Sequence, residues 1–221
     1  LDQSIKTDAN SDRLLSPNAV ELLFWGGVLV ILGYLFHYQP EGGEHVALRI
    51  APHARLGRML LLVGGAYAYG SLRDNRLLPQ AVFLLALCIL QVLLMAAGWV
   101  LVTFDISPDD LLQPAMVARG RSVALGVDLA IILALLLLLR RAGRASRPGF
   151  ILGASFFGSA SALSLVAPLV LPDRFWLAVP DWPASVAAQS PAMGLQVSLA
   201  VFSLIVLIKL YRLVHSRPRA G

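Results

Sequence analysis

Apolar and polar positions alternate along this chain in long blocks. Six blocks approach the roughly 20 mostly apolar residues that a helix needs to cross the ~30 Å hydrocarbon layer of a bilayer. They cover about residues 20–38, 56–72, 79–104, 122–139, 150–171 and 192–213. The second block is short and carries Arg58 near its start. Residues 1–19 form a polar N-terminal segment with no apolar core of signal-peptide type, and residues 214–221 form a basic tail. The pattern predicts an all-α, polytopic integral membrane protein, with six transmembrane helices in residues 20–213 arranged as three hairpins. The chain opens on Leu1 rather than Met, so a processed start and a piece of a longer chain both stay open.

Composition excludes other classes. The 221 residues are 57% apolar and only 14% charged, whereas soluble domains carry about 25% charged residues. A soluble chain so apolar has nowhere to place its surplus. Disorder and a disulfide scaffold are excluded as well, the latter because Cys88 is the single cysteine. The net charge of +5 does not point to nucleic acid, since the basic residues flank apolar blocks instead of forming a stripe on a soluble face.

Their distribution sets a direction. With six spans, twelve of the 18 Lys and Arg fall on one side, among them Arg73, Arg76, Arg140, Arg141, Arg144, Arg147, Lys209 and Arg212. Arg49, Arg55, Arg58, Arg119, Arg121 and Arg174 fall on the other. Basic residues in short loops accumulate in the cytoplasm, so both termini are expected there, as in a bacterial inner-membrane protein.

Punctuation agrees with the blocks. Pro79, Pro148 and Pro191 stand where spans open, Ser190 is placed to cap the last, and Pro168 predicts a kink or early exit from the fifth. Ser107, Pro108, Asp109 and Asp110 resemble a helix start, which predicts a short interfacial helix before the fourth span. Trp25, Trp99, Trp176 and Trp182 are expected as interfacial anchors.

Within lipid, helices pair by close packing of small residues. Gly153, Ser155, Gly158 and Ser159 belong to a fifth span with small side chains all round, which predicts that it is enclosed by other helices. Gly126, Ala130 and Ala134 form a stripe on the fourth span, from whose centre Asp128 projects by roughly 160°. Either that helix packs on both sides or one of the two features meets a partner or a cavity.

Asp128 is the only acid well inside an apolar block, and a carboxylate at membrane depth is a functional candidate by default. Gln91 and Gln196 are candidates to form an intramembrane polar cluster with it. The structural alternative is a hydrogen-bonded Asp128 that fixes helix packing, or one paired with Arg121. Gln91 shares a helical face with Cys88, Met95 and Gly98, the pattern of a buried interface. His37, Glu41, Glu44, His45 and His53 supply imidazoles and carboxylates that suit Zn or Cu, or form an ordinary solvated loop. No catalytic constellation is present: there is no P-loop or HExxH, and Ser155 has no deep histidine to act as its base.

The expectation is a non-catalytic protein of the lipid bilayer, an accessory or structural subunit of a larger complex that contacts other membrane subunits or copies of itself. A small transporter or channel built around Asp128 is the alternative, and the membrane-sensing region of a longer signalling protein is a third. The sequence does not identify a cofactor.

Overall fold

The computed structural model describes residues 15–35, 52–73, 76–103, 114–143, 146–176 and 190–215. These residues are all-helical: α1 (Pro17–Leu35), α2 (Pro52–Ser71), α3 (Leu78–Thr103), α4 (Pro114–Arg141), α5 (Arg147–Val170), the single-turn α6 (Asp173–Trp176) and α7 (Pro191–His215). Five of them, α1, α3, α4, α5 and α7, are long and apolar enough to cross a membrane. The sixth expected span, α2, reaches about 30 Å at 1.5 Å per residue. It has the length but lacks the apolar composition, because Arg55, Arg58 and four glycines dilute it.

The helix ends follow local chemistry. Ser190 Oγ accepts from the Met193 N–H at 3.2 Å, so Ser190 caps α7 ahead of Pro191, whose missing N–H would be unpaired there in any case. Two residues beyond Pro168, α5 stops at Val170, and Leu171 turns to an extended backbone. The expected helix start at Ser107, Pro108, Asp109 and Asp110 lies outside the described residues; from Pro114 onward α4 runs unbroken into the fourth span.

At the centre of the bundle lies α4. Within its apolar stretch 72% of residues are buried, against 22% for α3, 33% for α5 and 28% for α7. It packs on α5, α3, α1 and α7, so it is the helix with partners on both sides. The helix expected to be enclosed, α5, instead exposes Ile151, Leu152, Val166, Leu169 and Val170 on one flank. Small residues permit close packing but do not require it on every face.

The tightest approach is between α1 and α2, which run antiparallel. A Cβ on Gly57 would sit 2.7 Å from both Gly26 O and Val30 N, and one on Gly26 would sit 2.9 Å from Gly57 O. Only glycine at both positions lets these backbones meet. Toward the ends of the pair, Gly33 faces Ala54 and Gly64 faces Leu23, in the same register.

Hydroxyls join α4 to α5. Ser161 Oγ donates to Gly126 O at 2.8 Å, and Ser122 Oγ donates to Ser164 O at 2.9 Å. At one end α7 stacks Tyr211 on Phe24 of α1, with ring centroids 4.1 Å apart, and the Tyr211 hydroxyl donates to Glu21. At the other end Trp176 is buried with Ala167 and Ala192, and its indole N–H donates to Leu171 O. Trp176 therefore packs inside the protein and not in a lipid-facing belt, whereas Trp25 is half-exposed.

Candidate functional site

The close α1–α2 contact sets two polar side chains against the core. Tyr34 lies in the last turn of α1, and Arg58 stands one residue past the Gly57 contact on α2. Gln91 lies at the middle of α3 and Asp128 at the middle of α4. All four side chains are buried: Tyr34 is 5% exposed, Arg58 4%, Gln91 2% and Asp128 1%.

They converge on the carboxylate. The Arg58 guanidinium donates through Nη2 to Asp128 Oδ2 at 2.9 Å, and the Tyr34 hydroxyl donates to the same oxygen at 2.8 Å. Arg58 Nη2 also reaches the Tyr34 oxygen at 3.1 Å. On the other side, Gln91 Nε2 donates to Asp128 Oδ1 at 2.7 Å and contacts Ala124 O at 3.3 Å. Four helices thus share one ion pair, with both carboxylate oxygens satisfied. An isolated charge in low dielectric would cost several kcal/mol, so the pairing is what permits Asp128 at this depth.

Two polar atoms of the cluster remain without a hydrogen-bond partner, Arg58 Nε and Gln91 Oε1. Cys88 is buried one turn before Gln91 on α3, against Gly65 of α2.

Of the three intramembrane polar candidates, Asp128 and Gln91 meet directly. Gln196 does not join them: its Nε2 donates to Ala118 O at 3.1 Å, ten residues away along α4. That separation is about 15 Å at the helical rise. The ion-pair partner of Asp128 is Arg58 and not Arg121. Tyr34 and Arg58 are the members that sequence reasoning missed. Arg58 had been assigned to the outer surface because it opens a short block, although a membrane-depth acid calls for a cation and Arg58 is the basic residue farthest inside α2.

The packing candidates divide among several neighbours. Gly126 faces Leu165 of α5, Gly153 lies between Leu136 of α4 and Leu210 of α7, and Gly158 approaches Leu133. Ala134 is buried and lines the α3–α4 seam, and Ala130 is half-buried. The Gly126, Ala130 and Ala134 stripe therefore drifts from one neighbour toward another along the helix. Ser155 and Ser159 are exposed, and Ser159 Oγ bonds back to Ser155 O within its own helix at 2.7 Å.

His37, Glu41, Glu44 and His45 lie outside the described residues, as does the side chain of His53 in the first turn of α2. Among the described residues no group of three His, Cys, Asp or Glu is placed to hold a metal.

The chain matches none of the family models, curated proteins or solved structures with which it was compared.

Proposed function

We propose that the chain is a six-span, non-catalytic protein of the bacterial inner membrane, with both termini in the cytoplasm, acting as an accessory or structural subunit of a larger membrane complex. One observation carries the reading: the carboxylate at membrane depth is consumed in a closed, four-helix ion-pair network instead of facing open space. Such a network fixes helix register and gives the bundle a rigid scaffold on which partners can dock.

The same network supports a crossing by α2. Apolar composition undervalues this helix because it counts Arg58 as a charge facing lipid, and Asp128 cancels that charge inside the bundle. With α2 crossing, the twelve-to-six division of basic residues places both termini with the larger group. Single cysteines introduced in a Cys88→Ser background at Ala9 and Ala220, which bracket all the spans, test the topology. Both should label from the cytoplasmic face, and labelling from opposite faces means that α2 does not cross.

The complex is tested by extraction in mild detergent. The expected result is a stoichiometric membrane partner or a homo-oligomer, and a monodisperse monomer with nothing bound overturns the reading.

A second reading, a small transporter or channel, draws on Arg58 Nε and Gln91 Oε1, buried beside the carboxylate and unpartnered. It predicts a pH-dependent proton flux in proteoliposomes that Asp128→Asn abolishes while the bundle stays folded. Flux undiminished by that substitution removes Asp128 from any transport role.

A further inference from the structure

Where α3 begins and α4 ends, the two helices part to leave a groove of about 230 Å³, lined by Pro79, Gln80, Phe83, Ala134, Leu137 and Arg141. Its chemistry is divided. Phe83 and Leu137, at 55% and 36% exposure, form an apolar floor open to the side of the bundle. Gln80 and Arg141 stand at the helix ends. The Gln80 amide, oriented to donate to Leu77 O at 3.1 Å, turns its oxygen toward the Arg141 guanidinium, and both side chains line the groove.

No carboxylate lines the groove, and Arg141 forms no ion pair among the described residues. The surrounding end of the bundle is also basic, with Arg73, Arg76 and Arg147 exposed where α2 ends, α3 begins and α5 begins. The described carboxylate at this end, Glu21, is engaged by Tyr211 and Trp25 on the α1–α7 side. A cation above an apolar slot, within a positive field and open toward the hydrocarbon, matches a molecule with a phosphate at one end and a chain at the other. Basic pockets between transmembrane helices bind anionic lipid headgroups on this physical basis.

We propose that the α3–α4 groove is a binding site for an anionic phospholipid. Its phosphodiester is held by Arg141, with Gln80 positioning the guanidinium, and its acyl chain lies on Phe83 and Leu137. On α3, Leu87 and Leu90 follow Phe83 at helical spacing and continue the apolar track. The site depends on the chain residing in a membrane, not on the subunit or transport reading, and each of those can fail without the other.

The test is native mass spectrometry of the full chain in mild detergent, titrated separately with phosphatidylglycerol and phosphatidylcholine. Phosphatidylglycerol should form the dominant adduct and raise the melting temperature. Arg141→Gln should weaken its binding about fivefold and remove that thermal shift, the effect of losing one cation near a headgroup. Arg147→Gln, at the same basic end but outside the groove, should change binding by less than about twofold. Equal binding of the two lipids overturns the proposal, as does wild-type binding by Arg141→Gln. Equal losses in the two arginine variants also overturn it, since they would show a diffuse positive field rather than a site. Arg141 is exposed, so its replacement does not put the fold at risk.

Discussion

The Arg58 guanidinium and the Asp128 carboxylate, seventy residues apart in sequence, meet at 2.9 Å in the interior of the bundle. Each makes the other tolerable in lipid. The pair therefore fixes α2 against α4 more specifically than apolar packing does, since sliding either helix by one turn would separate the charges by about 5 Å.

That mutual dependence gives an asymmetric mutational signature. Asp128→Leu alone strands the guanidinium and should destabilise the bundle by about 3–5 kcal/mol, as should Arg58→Met alone. The double substitution removes both charges and should recover most of the loss. Reversible unfolding in mixed micelles measures all three, and a double variant as unstable as the sum of the singles would deny the coupling.

Tyr34 shares Oδ2 with Arg58, so Tyr34→Phe deletes one donor to a charged acceptor while the packing of the ring is kept. The expected cost is about 1.5–3 kcal/mol. In an Asp128→Leu background the same substitution should cost almost nothing, and an unchanged cost there would place the hydroxyl's contribution elsewhere.

Close backbone approach separates two glycines of one helix. At Gly57 an added Cβ meets Gly26 O and Val30 N at 2.7 Å, whereas at Gly70 nothing lies within 4 Å. Gly57→Leu should destabilise by at least the ~1–3 kcal/mol typical of overpacking. Gly70→Leu should be neutral or mildly stabilising, because it replaces an uncrowded glycine in the last turn of the helix. Melting temperatures of the two variants in the same detergent decide the matter.

Two serines on α5, two residues apart and so on different faces of the helix, should also behave differently. Ser161 bonds across to Gly126 O of α4, while Ser159 bonds within its own helix. Ser161→Ala should cost about 0.6 kcal/mol, the average for an interhelical side-chain bond in a membrane protein. Ser159→Ala should leave the α4–α5 contact unchanged, and equal effects on unfolding would contradict the assignment.

How much of this was readable beforehand differs from residue to residue. Ser190 before Pro191 announced the start of α7, because a cap depends on residues a turn apart. Pro168 likewise marked the last turn of α5, which ends two residues later. Asp128 stood out because no other acid lies so deep in an apolar block. Of its neighbours Gln91 is legible, but Gln196 bonds elsewhere, Arg58 reads as a boundary residue, and nothing in the sequence singles out Tyr34. Helix depth counted along a sequence carries an uncertainty of a turn at each end, and that is enough to move a side chain in or out of a cluster.

The sequence by itself determined that the chain is built of long apolar helices fit for a membrane, and that one buried charge required an answer. Those are consequences of composition and local spacing, since a backbone in hydrocarbon must satisfy its own hydrogen bonds. Only the tertiary structure decided that α4 occupies the centre, that α5 keeps a lipid-facing flank, and that Arg58 answers Asp128. The reason is specific to membranes: a side chain facing lipid and one facing another helix are both apolar, so hydropathy cannot tell them apart. The choice of neighbour rests on where backbones can approach, as at Gly26 and Gly57, and on where a charge finds its counterpart.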